Sequence, residues 1–341
     1  MNLMEKLRAV GGSSGAKRPE NTRTETDCRH LAVYRPAEDF PGALELTGET
    51  LALMSGKEIP ADLDPRRILY LDTETTGLGG SGTVAFLVGM GWLTDEGFEV
   101  HQFLMRDYPE EPFLLKHVAA GLERFDALCT FNGSTFDVPL LEGRFLMNRM
   151  DRGCLDLPHL DLLHMSRRLW KLRLGRCNLS RLEEVILGQP REEDLPGSLV
   201  PQRYFDYLKT KNEYLLEDIL KHNAQDIISL CVLLNHMAEL YRHPEKIRFS
   251  EDVYSMGRAL ERSNHPERAR DCYRLAARGK MAPAASAALA WTEKALARLS
   301  EPVIREDQTV QEWEKELQYR HQRLRRRIRA LEAREDAAPR E

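Results

Sequence analysis

The chain has 341 residues, enough for two domains, and its 49 lysines and arginines against 54 aspartates and glutamates give a formal net charge of −5. This balance offers no global argument for a polyanionic partner, so any contact with nucleic acid must come from local basic patches. The six cysteines are scattered without a C-x-x-C pair, which argues against a zinc or disulfide framework. No apolar run reaches the roughly 18 residues of a membrane span, and the N-terminus lacks a signal-peptide pattern, so we expect a cytoplasmic protein without membrane segments.

Two segments precede the first strong pattern. Residues 1–29 are polar and glycine-containing and lack apolar periodicity, which predicts a flexible N-terminal arm. Residues 30–65 carry short apolar clusters separated by prolines, which predicts an irregular lead-in that covers part of the core.

Residues 66–243 alternate between strand-like and helix-like patterns, as expected of an α/β domain. Three β-rich runs separated by short connections predict an antiparallel meander, at 68–71, 84–92 and 98–104. Two amphipathic helices then alternate with two short buried strands, in the order 111–125, 127–131, 138–150 and the stretch around Leu160. A meander followed by alternating helices and strands predicts a mixed sheet flanked by helices.

Residues 250–335 differ from the preceding domain in composition, because they are rich in alanine, arginine and glutamate, and they are predicted to be helical. Aligned as a 34-residue unit, residues 250–283 place small and large residues where a tetratricopeptide repeat packs its paired helices, namely Gly257, Leu260, Ala269, Tyr273 and Ala276. Because about three such repeats are needed to stand alone, we expect this all-α region to pack on the preceding domain or on a protein partner. The alternative is a helical extension without a binding role.

Two carboxylates follow the first predicted strand of the meander. Residues i and i+2 of a strand point to the same face, so Asp72 and Glu74 project together while Thr73 turns away. Neighbouring acids repel each other, and a hard divalent cation with oxygen ligands is the usual way to relieve that repulsion. The alternative is a solvated strand end that runs into a glycine turn.

Two further signatures carry acids in chain order. One is the stretch from Phe131 to Asp137, and the other is the stretch from His222 to Asp226. His222 and Asp226 are i and i+4 on a predicted helix and therefore share a face that could meet the first two acids. A simple surface pair on the helix is the alternative.

The order D-x-E, N-x-x-x-F-D and H-x-x-x-D resembles the three motifs of the DEDD exonuclease superfamily, which has a ribonuclease H-like fold. The wider pattern is similar to the YprB-type family of predicted bacterial nucleases. Three stretches carry this similarity, namely Leu71-Asp-Thr-Glu-Thr-Thr-Gly77, Thr130-Phe-Asn-Gly133 and His159-Leu-Asp161. This resemblance covers about residues 66–240. It implies a ribonuclease H-like fold and a metal-dependent 3′-to-5′ exonuclease that hydrolyses RNA or single-stranded DNA.

The resemblance also implies a role for each motif residue. Asp72 would bridge two Mg²⁺ or Mn²⁺ ions, Glu74 and Asp226 would hold the ion that activates water, and Asp137 would hold the second ion. His222 would act as the general base. The third motif departs from the family, in which histidine stands five residues before the aspartate and tyrosine stands four, because His222 occupies the tyrosine position.

Candidate substrate contacts lie beside these motifs and in a basic segment. The basic and aromatic side chains between Arg167 and Arg176 suggest a surface that binds a phosphate backbone and stacks a base, although a helix with one apolar face explains the same pattern. The predicted substrate-binding residues are Thr75, Gly77, Asn132, Phe136, Arg168, Trp170 and Lys171. We interpret His159, Asp161 and His164 as structural.

Two other functions remain compatible with the sequence. One is a nucleic-acid-binding or scaffold protein that acts through its helical region, and four clustered acids that repel phosphate argue against it. The other is a structure-selective endonuclease that uses the same metals. No motif distinguishes RNA from DNA, because a contact to the 2′-hydroxyl leaves no pattern in the sequence.

Overall fold

The protein is described here by a computed structural model that covers residues 27–77, 82–191 and 195–300, together with 315, 317–319 and 321–322. The predicted N-terminal arm lies outside these residues up to position 26. The predicted helical tail beyond residue 300 also lies largely outside them.

The domain is built on a six-stranded mixed sheet with the order β1-β4-β3-β2-β5-β6. The pairs β1–β4, β4–β3 and β3–β2 are antiparallel, whereas β5 runs parallel to β2 and β6 runs parallel to β5. Their bounds are Arg29–Pro36, Ile68–Thr75, Ala85–Leu93, Gly97–Leu104, Ala127–Thr130 and His159–Asp161. The predicted meander and the alternation that follows it are confirmed.

Helices cover both faces of the sheet and continue beyond it. Those that precede or belong to the sheet domain are α1 Gly48–Ser55, α2 Glu111–Leu122, α3 Asp137–Met147, α4 Leu162–Leu174, α5 Leu179–Val185, α6 Val200–Thr210 and α7 Tyr214–Arg242. Three more follow, namely α8 Ser250–Arg262, α9 Pro266–Ala276 and α10 Ala282–Ser300. The predicted class, a mixed sheet flanked by helices and followed by a helical region, is confirmed.

Strand β2 is buried on both sides. Ile68 and Tyr70 belong to one apolar core, which includes α7, whereas Leu69 and Leu71 belong to the core on the opposite face. This explains why its sequence is continuously apolar rather than alternating. The first polar residue of the strand, Asp72, continues the face of Ile68 and Tyr70 and is therefore directed towards α7.

Helix α7 lies very close to the sheet at Gly89. A Cβ atom at this position would lie 2.2 Å from Ile227 Cδ1 and 2.3 Å from Asn223 Oδ1, so only glycine permits the approach. Gly89 is paired with Asp72 on one side and with Gln102 on the other. The missing side chain brings α7 onto the sheet beside the first predicted catalytic acid.

The interpretation of residues 30–65 as irregular is wrong in part. Strand β1 pairs with β4 over its full length, and α1 packs on α7. Strand β1 is an edge strand whose residues are partly exposed, so it needs fewer apolar residues than the central strands and gives a weaker sequence signal.

The C-terminal helices pack on the sheet domain, which is one of the two predicted arrangements. Arg173 of α4 forms a buried ion pair with Asp252 of α8 at 2.7 Å, and Tyr273 belongs to the same apolar core as Trp170. Gly257 contacts the Tyr273 ring so closely that a Cβ there would lie 2.6 Å from Tyr273 Cε1. The paired helices are thus confirmed, while their assignment to the tetratricopeptide class stays a prediction. No helix within the described residues is long and apolar enough to cross a bilayer.

Candidate active site

Asp72 lies among three other acids at the end of β2. Its pKa is raised well above the usual value, first by burial and then by the negative charges of Asp226, Glu74 and Asp137. These acids come from β2, α3 and α7, which are far apart in the sequence and meet at one place in the fold. Because four negative charges close together repel one another, a nearby positive charge would stabilise the ionised carboxylates.

Asp137 is the first residue of α3 and is 5% exposed. Its Oδ1 accepts hydrogen bonds from the Thr73 hydroxyl at 2.5 Å and from the Thr73 backbone N–H at 3.2 Å. Burial raises the pKa of Asp137 to about 6, and the hydrogen bonds from Thr73 oppose that increase. Thr73, which the sequence placed on the opposite face from Asp72 and Glu74, therefore ties the first motif to the second.

The loop that carries the second motif is held by Asp161 at the end of β6. Asn132 adopts a left-handed conformation with a φ of 68°, and its N–H donates to Asp161 Oδ1 at 2.9 Å. The hydroxyl and the N–H of Ser134 both donate to Asp161 Oδ2. Although burial tends to raise the pKa of Asp161, these hydrogen bonds bring it below its usual value. Asp161 is thus a structural anchor of the loop.

Asn223 is a functional candidate that the motif analysis missed. Its side chain is fully buried, and its Nδ2 donates to Asp72 Oδ2 at 2.8 Å and to the Asp72 carbonyl oxygen at 3.3 Å. Its Oδ1 accepts a hydrogen bond from Gln102 Nε2 at 2.9 Å. Asn223 therefore fixes the orientation of the Asp72 carboxylate. The sequence pattern of α7 could have indicated this residue, because Asn223 is a polar residue on the otherwise apolar face formed by Ile227 and its neighbours.

Arg191 is the second missed residue. Its guanidinium binds both oxygens of Glu183 and also Asp226 Oδ1. The side chains of Arg191 and Glu183 are 10% and 1% exposed, so this is a buried charge cluster. Burial lowers the pKa of Arg191, but the ion pairs with Glu183 and Asp226 hold it above its usual value. A positive charge thus stands against one of the four acids.

His222 lies beside the same arginine. Arg191 NH1 is 3.3 Å from His222 Nδ1, and since a guanidinium only donates, Nδ1 must be the acceptor. The proton of the neutral ring is then on Nε2, which lies 3.8 Å from Asp226 Oδ2. The hydrogen bond from Arg191 therefore sets the tautomer of the ring, and Asp226 lies near its protonated nitrogen.

The donor set of this site fits a hard divalent cation. Carboxylate oxygens are the ligands that Mg²⁺ and Mn²⁺ prefer, and the pKa of Asp72 is raised first by burial and then by the charges of the neighbouring acids, both of which a bound cation would offset. Within the described residues, the group with three ligand atoms mutually within 4.8 Å is a different one, formed by Asp27, Cys28 and His117. No three of the four motif acids, all of which are described, form such a group.

Three of the predicted substrate-binding residues have other contacts. Trp170 is 1% exposed in the apolar core, so its assignment to base stacking is wrong. Arg168 NH1 donates to the carbonyl oxygens of Met54 and Ser55, which makes it a structural residue. The Thr75 hydroxyl donates to the Gly77 carbonyl oxygen at 2.7 Å and shapes the turn after β2.

The other predicted substrate contacts keep some exposure. Lys171 is exposed on α4, and Asn132, Phe136 and Gly77 are partly exposed. Asn132 and Phe136 flank the loop that leads into Asp137, so they lie next to the acids in the chain.

Comparison with known proteins supports the fold assignment. Residues 69–238 match the family described as the RNase_H superfamily. The protein with the printed name "Uncharacterized protein YprB" of Bacillus subtilis (strain 168) is 37% identical over 174 residues, which are 50% of this chain and 42% of that protein. The matched region thus spans less than half of the relative's length.

A solved structure was also compared with the chain. The family B DNA polymerase from the hyperthermophilic archaeon Pyrobaculum calidifontis matches with a TM-score of 0.43 and 16% sequence identity, over 64% of this chain and 30% of the polymerase. At this level of likeness, the fold assignment rests on the family match and on the sheet itself.

Proposed function

We propose that this chain, whose residues 69–238 form a ribonuclease H superfamily domain, is a metal-dependent nuclease that removes nucleotides from 3′ ends. The observation that carries the proposal is the meeting of Asp72, Glu74, Asp137 and Asp226 in one electrostatic environment. A structural role does not explain this cluster, because like charges that are not compensated by positive charge destabilise the folded protein. The substrate class is RNA or single-stranded DNA.

The four acids would hold two Mg²⁺ or Mn²⁺ ions. Bound there, such ions supply Lewis-acid stabilisation of the attacking and leaving oxygens of the phosphodiester. The protein contributes positioning, because Thr73 fixes Asp137 and Asn223 fixes Asp72. Arg191 compensates the charge of Asp226 and holds it beside His222.

His222 is the proposed general base. Its Nδ1 accepts a hydrogen bond from Arg191 and its Nε2 carries the proton, so the ring can take up a proton only at Nδ1, after that nitrogen has given up the hydrogen bond from Arg191. Replacement His222→Ala should lower turnover on the order of 10²–10⁴-fold, with little loss of metal affinity because the four acids remain. His222→Tyr should be milder, since tyrosine can orient water, although its pKa of about 10 shifts the activity rise to higher pH.

Substrate-saturated rates on a short labelled oligonucleotide, measured across pH for these three proteins, test the role of His222. Equal rates for the wild type and His222→Ala would remove the base role from this side chain.

The function itself is tested with end-labelled linear and circular substrates of RNA and DNA, each with Mg²⁺, Mn²⁺ or EDTA. Stepwise shortening of linear single strands that requires metal is expected, with circular molecules left intact. Calorimetric titration with Mn²⁺ measures binding apart from activity, and Asp137→Asn should weaken it. Cleavage of circles would instead favour an endonuclease, and hydrolysis that survives EDTA would contradict metal dependence.

The C-terminal helices have a structural explanation within the chain. Their contact with α4 through Arg173 and Asp252 is buried, so no protein partner is needed to cover that face. Binding of a protein by the remaining faces stays a prediction.

A further inference from the structure

A cleft of about 830 Å³ opens beside the candidate active site. It lies between the end of α4, helix α5 and the segment that reaches Arg191. The polar residues that line it are Arg176, Asn178, Ser180, Arg181, Glu184 and Arg191. This volume is within the range of about 300–1,000 Å³ that is typical of ligand-binding clefts.

The cleft is locally positive in a chain of net negative charge. Among the described residues, three guanidiniums and one carboxylate line it, and since Arg191 is already paired with Glu183 and Asp226, the positive charge that a ligand can use comes from Arg176 and Arg181. Arg176 is exposed, and among the residues that the structure describes no carboxylate lies within ion-pair distance of it. A local patch of this kind is what an acidic protein needs in order to bind a polyanion.

Arg181 can bind a phosphate after losing only a weak ion pair. It pairs with Glu184 one turn away at 2.7 Å, but both side chains are about half exposed. Exposed pairs of this kind contribute little to stability, so a phosphate can replace the glutamate with little penalty.

The cleft is continuous with the acids through Arg191. This residue lines the cleft and also binds Asp226. A chain that follows the cleft therefore arrives at the edge of the carboxylate cluster. Arg176 and Arg181 carry the opposite charge to the acids, so they can attract the phosphates that the acids repel.

We propose that this cleft binds the phosphodiester backbone of a single-stranded nucleic acid and guides it past Arg191 to the acids. The inference rests on the proposed nuclease function and assigns its substrate a path. None of the described residues that line the cleft carries an aromatic ring, so recognition is by phosphate rather than by base stacking.

The test compares two double variants that remove equal charge. Arg176→Gln with Arg181→Gln changes the cleft, and Lys116→Gln with Arg152→Gln changes exposed residues that do not line it. Both are made in the Asp137→Asn background to prevent hydrolysis. Binding of a fluorescein-labelled single-stranded oligonucleotide is followed by anisotropy at several salt concentrations.

The cleft variant should bind roughly tenfold more weakly, and its slope of log affinity against log salt should be shallower by about 1.4, because each lost phosphate contact on a single strand removes about 0.7. The matched control should keep the slope of its parent. Equal slopes for the cleft variant and the control overturn the proposal. Thermal melting checks that both variants fold.

A second measurement separates this inference from the nuclease function. Hydrolysis of a small p-nitrophenyl phosphodiester needs the acids but not a long binding path. The cleft and control variants, returned to the wild-type background, should therefore hydrolyse it at the wild-type rate while the cleft variant alone loses activity on the oligonucleotide. A wild type that is inactive on both substrates with metal would contradict the nuclease function, whereas equal oligonucleotide rates for the two variants would overturn the cleft alone.

Discussion

Asp137 directly follows the loop of the second motif, Asp161 at the end of β6 holds that loop, and both aspartates are 5% exposed. Asp161 accepts hydrogen bonds from three backbone N–H groups and the Ser134 hydroxyl, and its pKa lies below the usual value. Asp137 accepts two hydrogen bonds from Thr73, and its pKa is raised to about 6. Two aspartates of equal solvent exposure thus differ in pKa, because Asp137 lies deeper in the protein and accepts fewer hydrogen bonds than Asp161 does.

The difference in charge compensation distinguishes an aspartate with a structural role from one that is a candidate metal ligand. A buried carboxylate that is satisfied by fixed donors has no reason to bind a cation, because its charge is already compensated. A buried carboxylate with few donors and other acids nearby gains most from a metal ion. The comparison explains why Asp161 can anchor the loop while Asp137 can serve the proposed reaction.

The largest expected effect is that of Asp137→Asn on the reaction rate. Metal-assisted stabilisation is worth several kcal/mol, and each 1.36 kcal/mol is tenfold, so the rate should fall roughly 10³-fold or more. The metal-free fold should keep or gain stability at pH 8, since the wild-type residue is ionised there at a cost. Rates with Mn²⁺ and thermal melts in EDTA measure the two effects.

The exposed Asp156→Asn, which removes the same charge, is the matched control for this variant. A purified Asp137→Asn protein with the wild-type rate would show that Asp137 is as structural as Asp161.

Asp161→Asn should have the opposite profile, with its main effect on stability. An amide presents one acceptor oxygen and turns an N–H₂ group towards donors such as Asn132 N–H and Ser134 N–H. The free energy of unfolding should fall by roughly 2–3 kcal/mol, the scale of hydrogen bonds to a charged group. Urea titration measures this change, and Asp156→Asn should stay within about 0.5 kcal/mol of the wild type. A change no larger than that of the control would contradict the anchoring role.

The smallest effect concerns His159, which shares strand β6 with Asp161. Burial lowers the pKa of His159 from 6.5 to about 4, so between these values the unfolded chain binds the proton more tightly than the folded protein does. The stability contributed by the neutral ring is complete above pH 6.5 and is lost as pH falls towards 4. From pH 7 to pH 5 the loss should be about 1–2 kcal/mol, or a few degrees in melting temperature.

His159→Gln, which cannot titrate, should lack this part of the pH dependence. Melting curves of both proteins between pH 7 and pH 5, in EDTA, provide the comparison. Parallel pH dependences would mean that His159 is protonated as readily in the folded protein as in the unfolded chain.

The central elements could be predicted because their patterns are local. The apolar run at 68–71 opens strand Ile68–Thr75 and is followed directly by the polar residues of the first motif. The edge strand Arg29–Pro36 was missed, because a strand with exposed residues carries little apolar signal. The helix of Trp170 was predicted in place, but its apolar face was partly interpreted as a stacking surface.

The sequence by itself determined the order of the central strands and helices and the chain positions of the four motif acids, because strand and helix periodicities and short motifs depend only on neighbours in the chain. Only the tertiary structure decided which other residues meet those acids. Asn223 contacts Asp72 because Gly89 lets α7 approach the sheet, and Arg191 contacts Asp226 across 35 residues of chain. Such contacts depend on packing between distant elements, and no local pattern encodes which distant charge a buried side chain will meet.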